Sequence, residues 1–354
     1  SMNPAFIDQW FPDELQDNYI YKLINPRRVG LTRCRAEYFV RLWAYLLLKQ
    51  QELSGRLRKP LSQLTIPKGF VPCTNREAAE LFYANKDRGS DRAAGMMIDI
   101  LVDLGLIDKL FDGNTICIRI RPVGHLTSSN PLAEPIQFQV DGFNPRTDAV
   151  IVANFLARNY NWMSNTTNYI PFKITKLLRS WAHQYPSSMR VLRRCDTSAP
   201  VGFYMLYPTA SESEEKFFLP PINSLYLSSS STIDPLKMAT PGNPDCTSVL
   251  VRSWMIDTPY ITHQNVCRFL EDVQQTLVGM EADFPNLWDL YAMTIHPSYQ
   301  ELSMAIGFQK IGDQTNSSVS WLYTSVDQFL NLAMEKAISK LEFRCHGAES
   351  RLTG

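Results

Sequence analysis

The sequence predicts an α+β protein of two domains, a helical unit closed by a β-hairpin and a mixed α/β unit behind it. Three observations lead there. At 354 residues the chain exceeds the roughly 100–200 residues of a single domain. Helix-period apolar patterns dominate up to Gly105, while strand and helix patterns alternate beyond Asp148. Between them, residues 122–140 are rich in Pro, Ser and Asn and read as a connector.

Composition removes several classes of function. Hydrophobic residues make up 45% of the chain and charged residues 20%, an ordinary globular balance. The longest apolar runs, such as Leu46-Leu47-Leu48 and Met96-Met97-Ile98, fall far short of the roughly 20 residues that cross a bilayer. The first residues hold no basic segment leading into an apolar stretch, which points to a cytoplasmic protein. Seven cysteines without a CxxC pair point to reduced thiols instead of a disulfide framework or zinc site. The five histidines are isolated, so no metal is expected.

The zero net charge hides an asymmetry. Residues 21–60 carry ten Lys/Arg, among them Arg27, Arg28, Arg33, Arg35 and Arg41, against only Glu37 and Glu52, a net +8. An anionic partner is expected.

A helix is expected over Ala36–Leu53, with apolar residues on nearly every face. Such a helix is buried within its domain or lies in a homodimer contact. A connector marked by Pro60, Pro67 and Pro72 follows. A short helix then starts from Thr74 or Asn75 as N-cap and reaches Tyr83, and a third opens at Ser90 or Asp91 and stops at Gly105. Candidate strands Ile107–Phe111 and Thr115–Arg121 flank the turn signal Asp112-Gly113-Asn114. Three helices and a hairpin in this order resemble the winged helix family.

Farther along, helices are expected over Asp148–Tyr160 and Phe172–Gln184, and strands over Arg190–Cys195 and Val201–Tyr207. Residues 208–247 are irregular. Strand Val249–Ile256, helix Thr262–Leu277, strand Leu287–Ile295 and helix Ser298–Ile306 then alternate. The stretch from His296 to Gly312, with a helix stopping at Gly307-Phe308 and a final strand behind it, resembles the end of a GNAT-family N-acetyltransferase. The expected domains are therefore 1–125, winged-helix-like and Arg-rich; 126–142, a linker; and 143–345, a GNAT-like mixed α/β domain.

The resemblance implies a glycine-rich turn that holds the acetyl-CoA pyrophosphate with backbone N–H groups at a helix N-terminus. The matching stretch, Asp257-Thr-Pro-Tyr-Ile-Thr-His-Gln-Asn265, contains no glycine. Asp257 places a negative charge, and Pro259 removes a donor, where phosphate would sit. Loss of coenzyme A binding and of acetyl transfer is expected, with no catalytic residue assigned. Tyr291 and His296 could be drawn as base and acid, but such residues at strand ends more often serve packing.

In the N-terminal half, DNA readout by the third helix is one reading. Asp99 and Asp103 on that helix would repel phosphate, whereas the basic segment and Arg119 and Arg121 of the hairpin favour it. The other anionic partner is a nucleotide. Arg88-Gly-Ser-Asp91, followed by Arg92, is an RxxD pattern at a helix start. Arginine can grip guanine in a bidentate fork or stack on the base, and a carboxylate accepts from the guanine N1–H and N2–H₂ edge. A helix cap with a local ion pair is the plainer reading of those residues.

Together, the Arg-rich winged-helix-like module and the degenerate acetyltransferase-like module resemble a cyanobacterial cyclic di-GMP receptor family. The resemblance implies a non-enzymatic receptor that relays the second messenger to a transcription factor by protein contact. It implies a ligand set drawn from Arg27, Arg28, Arg33, Arg35, Arg88, Asp91 and Arg92, with no cofactor besides the ligand.

Overall fold

The computed structural model describes residues 2–25, 28–57, 60–83, 91–124, 126, 135–159, 169–219, 234–294, 299–312 and 319–345. The chain divides into two compact units: residues 1–136 with 343–354 form the first, and 137–342 the second.

Helices α1 (Ile7–Trp10), α2 (Asp13–Ile24) and α3 (Arg33–Leu53) open the first unit. Strand β1 (Val71–Pro72), helices α4 (Asn75–Tyr83) and α5 (Asp91–Asp103), and strands β2 (Ile107–Phe111) and β3 (Ile116–Ile120) complete it. The three strands form an antiparallel sheet in the order β1-β3-β2. Helix α3 is the core of the unit. From Cys34 to Leu48 every residue except Arg35 is buried, so its all-round apolar surface is covered without a second chain. Trp43 anchors the packing: its ring meets Tyr19 edge-on, and its indole N–H donates to the Thr65 carbonyl at 2.9 Å. Helix α4 starts with a reciprocal cap. The Thr74 hydroxyl accepts from Glu77 N at 3.1 Å, and the Glu77 carboxylate accepts from Thr74 N at 3.2 Å.

The second unit contains β4 (Phe138–Gly142), α6 (Ala149–Asn159), α7 (Tyr169–Gln184), β5 (Met189–Arg194), β6 (Pro200–Thr209), β7 (Ser248–Ile256) and α8 (His263–Asp283). It continues through β8 (Asp289–Thr294), α9 (Gln300–Ala305), β9 (Gln309–Ile311), β10 (Ser320–Ser325), α10 (Val326–Leu330) and α11 (Met334–Ala337). Seven strands form one sheet in the order β4-β5-β6-β7-β8-β10-β9, and only the β7–β8 junction is parallel.

All ten residues of β6 are buried, because helices cover both faces of the sheet there. Helix α7 packs on one face, Trp181 edge-on to Tyr207. On the other, α8 lays Phe269 against Tyr204 and Trp254. Gly202 permits that approach: a Cβ there would stand 3.0 Å from Leu192 Cβ and 3.2 Å from Phe269. Gly307, at φ +93°, ends the α9 segment in the left-handed conformation that only glycine adopts without strain, and β9 follows.

Three sequence expectations are corrected. Residues 138–142, expected within the linker, form edge strand β4 paired antiparallel to β5. Residues 343–345, expected in the second domain, belong to the first unit. The cysteines are not all thiols: Cys34 and Cys345 are joined in a disulfide, while Cys73, Cys117, Cys195, Cys246 and Cys267 are free. Among the described residues, no helix is long and apolar enough to cross a membrane, and no cluster of His, Cys, Asp and Glu could hold a metal ion.

Candidate functional site

The turn between β7 and α8 is where the sequence predicts a defective pyrophosphate loop, and its hydrogen bonds are internally closed. Asp257 N donates to Val201 O at 2.7 Å, Tyr260 N to Asp257 O at 2.8 Å, and Ile261 N to Thr258 O at 3.3 Å. At the start of α8, Asn265 N donates to the Thr262 hydroxyl at 3.1 Å, and Asn265 Nδ2 reaches back to Tyr260 O at 2.9 Å. A helix N-terminus binds an anion through N–H groups left open toward it. Here the Thr262 side chain already takes one of them, the Asn265 N–H.

The end of α6 clamps the same turn. Asp257 accepts from Arg158 Nη2 at 3.1 Å and from Asn159 Nδ2 at 3.1 Å, and the Thr258 hydroxyl donates to Asn159 Oδ1 at 2.7 Å. The Tyr260 hydroxyl accepts from Arg194 at 2.8 Å, and burial raises its pKa. The carboxylate at position 257 was visible in the sequence. Its partners, about a hundred positions upstream, carried no local signal.

Beside this turn the parallel seam of the sheet opens. Strands β7 and β8 are paired from Ser248–Asp289 to Val251–Ala292, whereas β7 runs on to Ile256. A β-bulge falls opposite Met205 and Leu206, where Arg252 is the extra residue. Arg252 pairs with Asp234 at 2.6 Å and lies over the Trp181 and Tyr207 rings. The seam holds a cavity of about 100 Å³ lined by residues that include Trp254, Met255, Tyr299 and Phe308. The Ser253 hydroxyl and the Trp254 indole N–H are buried without a hydrogen-bond partner among the described residues. Tyr291 stacks on Phe217 at 4.1 Å, and burial raises its pKa. His296 lies outside the described residues.

In the first unit the described members of the predicted ligand set do not gather at one point. Arg27 and Arg88 lie outside the described residues. Arg33 is 1% exposed, paired with Asp17 at 3.0 Å and placed over the Tyr21 ring. Its guanidinium is committed to the core and is not a surface ligand. Arg28 donates to Leu104 O at 3.3 Å and Arg35 to Gly30 O at 2.8 Å. Asp91 and Arg92 are exposed at the opposite end of α5. Thirteen residues of helix separate those ends by roughly 20 Å. Asp99 of α5 pairs with Lys109 at 2.7 Å, and Asp108 of the hairpin pairs with Arg119 at 2.7 Å.

No family model matches the chain, and no curated protein matches it. Among solved structures it is similar to a putative acetyltransferase from Acinetobacter baylyi ADP1, at 10% identity and TM-score 0.36 over 55% of this chain and 94% of that one. A GNAT-family acetyltransferase from Staphylococcus aureus Mu50 aligns at 11% identity and TM-score 0.34, over 54% and 99%. An acetyltransferase from Thermus thermophilus aligns at 12% and 0.33, over 53% and 97%.

Proposed function

We propose that this protein is a non-enzymatic receptor for cyclic di-GMP that acts on transcription through a protein partner, and that its GNAT-like unit no longer transfers acetyl groups. The observation that carries the second half is the closed turn ahead of α8. A pyrophosphate brought there would meet the Asp257 carboxylate, with the Asn265 N–H already bonded to Thr262. Like charges and occupied donors both oppose binding.

The nucleotide half rests on Arg88-Gly-Ser-Asp91-Arg92 leading into α5, with Asp91 and Arg92 exposed at a 13-residue helix. The proposed ligand set centres on Arg88, Asp91 and Arg92, because Arg33 is withdrawn into an ion pair and Arg28 and Arg35 face the other end of the helix. The helix, strand, helix, helix, hairpin order of the first unit suits a winged-helix-like module. Pairing of Lys109 and Arg119 with neighbouring acids weakens the DNA-binding alternative, which steep salt dependence in a gel shift would revive.

Isothermal calorimetry with cyclic di-GMP tests the reading. Arg88→Ala and Asp91→Ala are expected to stay folded and lose binding; unchanged affinity in both removes this site.

A second reading, acetyl transfer with an unusual cofactor loop, is favoured by the open β7–β8 seam, where the Ser253 hydroxyl and Trp254 indole stand without partners among the described residues. Thermal stabilisation by acetyl-CoA would support it, since a ligand that binds only the folded state raises the melting temperature.

A further inference from the structure

The segment Phe343–Cys345 returns to the first unit, where two features converge on it. The disulfide joins Cys345 to Cys34 in the first turn of α3, across 311 positions of sequence, and both cysteines are fully buried. Next to it, the Arg344 guanidinium enters a socket of carboxylates. It lies 3.1 Å from Asp13 Oδ2, 3.2 Å from Asp17 Oδ1 and 3.8 Å from Glu37 Oε1, and it donates to the Asp13 carbonyl at 3.1 Å. Arg33 meets Asp17 from the other side, and Arg41 holds Asp8 at 2.5 Å. Four carboxylates thus face three guanidiniums, one of which is delivered by the returning segment. Glu37 is fully buried, and neither of its oxygens accepts a hydrogen bond from the described residues. Withdrawal of Arg344 would take from Glu37 and Asp13 the guanidinium that lies within 4 Å of each.

We propose that Phe343–Cys345 is a thiol-controlled latch, closed on the first unit by the Cys34–Cys345 bond and opened when a dithiol reduces it. In that step a reductant thiolate attacks one sulfur and the other cysteine leaves as a thiolate; the second reductant thiol then attacks the mixed disulfide at the reductant's own sulfur and releases the first cysteine. The two cysteines gain two electrons and two protons, and the reductant leaves as its cyclic disulfide. The bond converts a three-residue ion-pair contact into a permanent one. Once it is broken, Arg344 stays in its socket only by charge, and the segment exchanges between seated and released states. Burial of both sulfurs means that the reductant gains access only when the segment lifts, so the ion pairs set the rate of opening.

The test uses the purified full chain, oxidised with glutathione disulfide or reduced with a dithiol. Alkylation after denaturation without reductant should modify five of the seven cysteines of the oxidised protein and leave Cys34 and Cys345 linked in one peptide pair; modification of all seven would overturn the proposal. On the native protein, reduction should lower amide protection in α2 and the first turn of α3 and expose the Arg344 peptide bond to trypsin. Identical exchange and cleavage in both redox states would equally overturn it. Arg344→Gln keeps both cysteines and should be reduced several-fold faster than the unmodified chain, whereas an unchanged rate would show that the ion pairs do not hold the segment down. None of these readouts depends on a nucleotide.

Discussion

Arg158 and Asp257 face one another at 3.1 Å across the end of α6 and the turn ahead of α8. The pair holds a carboxylate between two side chains of α6 at the entrance to α8. Asp257→Ala leaves Arg158 and Asn159 without their shared acceptor. The loss expected is about 1–3 kcal/mol, read as a lower urea midpoint, and an unmoved midpoint would show that the clamp does not hold the turn.

A second carboxylate fastens α8 to the sheet. Asp272 accepts from the Tyr204 hydroxyl at 2.6 Å and from Arg190 Nε and Nη2 at 3.0 and 3.2 Å. Its removal strips a half-buried cation of its carboxylate and leaves the buried Tyr204 hydroxyl with Thr276 alone, at 2.7 Å. Asp272→Ala is expected to cost about 3–5 kcal/mol, measured by chemical denaturation. A loss below about 1 kcal/mol, the range of exposed pairs, would contradict this account.

Close packing at Gly202 gives a prediction of opposite chemistry. Adding one methyl there drives it against Leu192, Phe269 and the Met255 carbonyl. Gly202→Ala should destabilise by about 1–3 kcal/mol through overpacking, although alanine is otherwise the better strand residue. A neutral or stabilising result would mean that α8 can shift away from β6.

The pH dependence of the first unit should carry the signature of Glu77. Burial opposes its charge, but hydrogen bonds from Lys49 at 2.8 Å, from Tyr45 and from Thr74 N outweigh it and hold its carboxyl below the ordinary glutamate range. A group depressed in the folded state stabilises above its unfolded value of about 4.5, and that contribution is lost as pH falls through the lower folded value. Glu77→Gln retains the helix cap. The melting temperatures of the two proteins should therefore differ near neutrality and converge as the pH falls below the depressed folded value. A difference that persists unchanged in acid would assign the effect to shape instead of charge.

Much of this fold was written locally. Asn75–Tyr83 and Ile107–Phe111 were recovered with the same ends because a capping box, a glycine stop and a hairpin turn mark them. The order β7–α8–β8 is legible in the alternation of apolar periods, although α8 runs to Asp283, six residues beyond the expected Leu277. Helix α2 has no clear apolar period, because buried Gln16 and Asn18 stand between its apolar residues. Strand β4 alternates half-buried and exposed residues on a sheet edge and hides in a Pro-rich neighbourhood. The site was less accessible still. Asp257 announced itself, but Arg158, Asn159 and the Cys34–Cys345 pair are brought together only by tertiary structure, and cysteine spacing cannot signal a bond across 311 positions.

The return of Phe343–Cys345 to the first unit has a consequence for biosynthesis. Chains emerge from the ribosome N-terminus first, and their domains ordinarily mature in that order. Here the N-terminal unit waits for residues made more than three hundred codons later before the third guanidinium of its acidic socket is in place and its clasp can form. A stop codon ahead of Arg344, which leaves every strand of the second unit intact, would fall hardest on helices synthesised more than three hundred codons earlier.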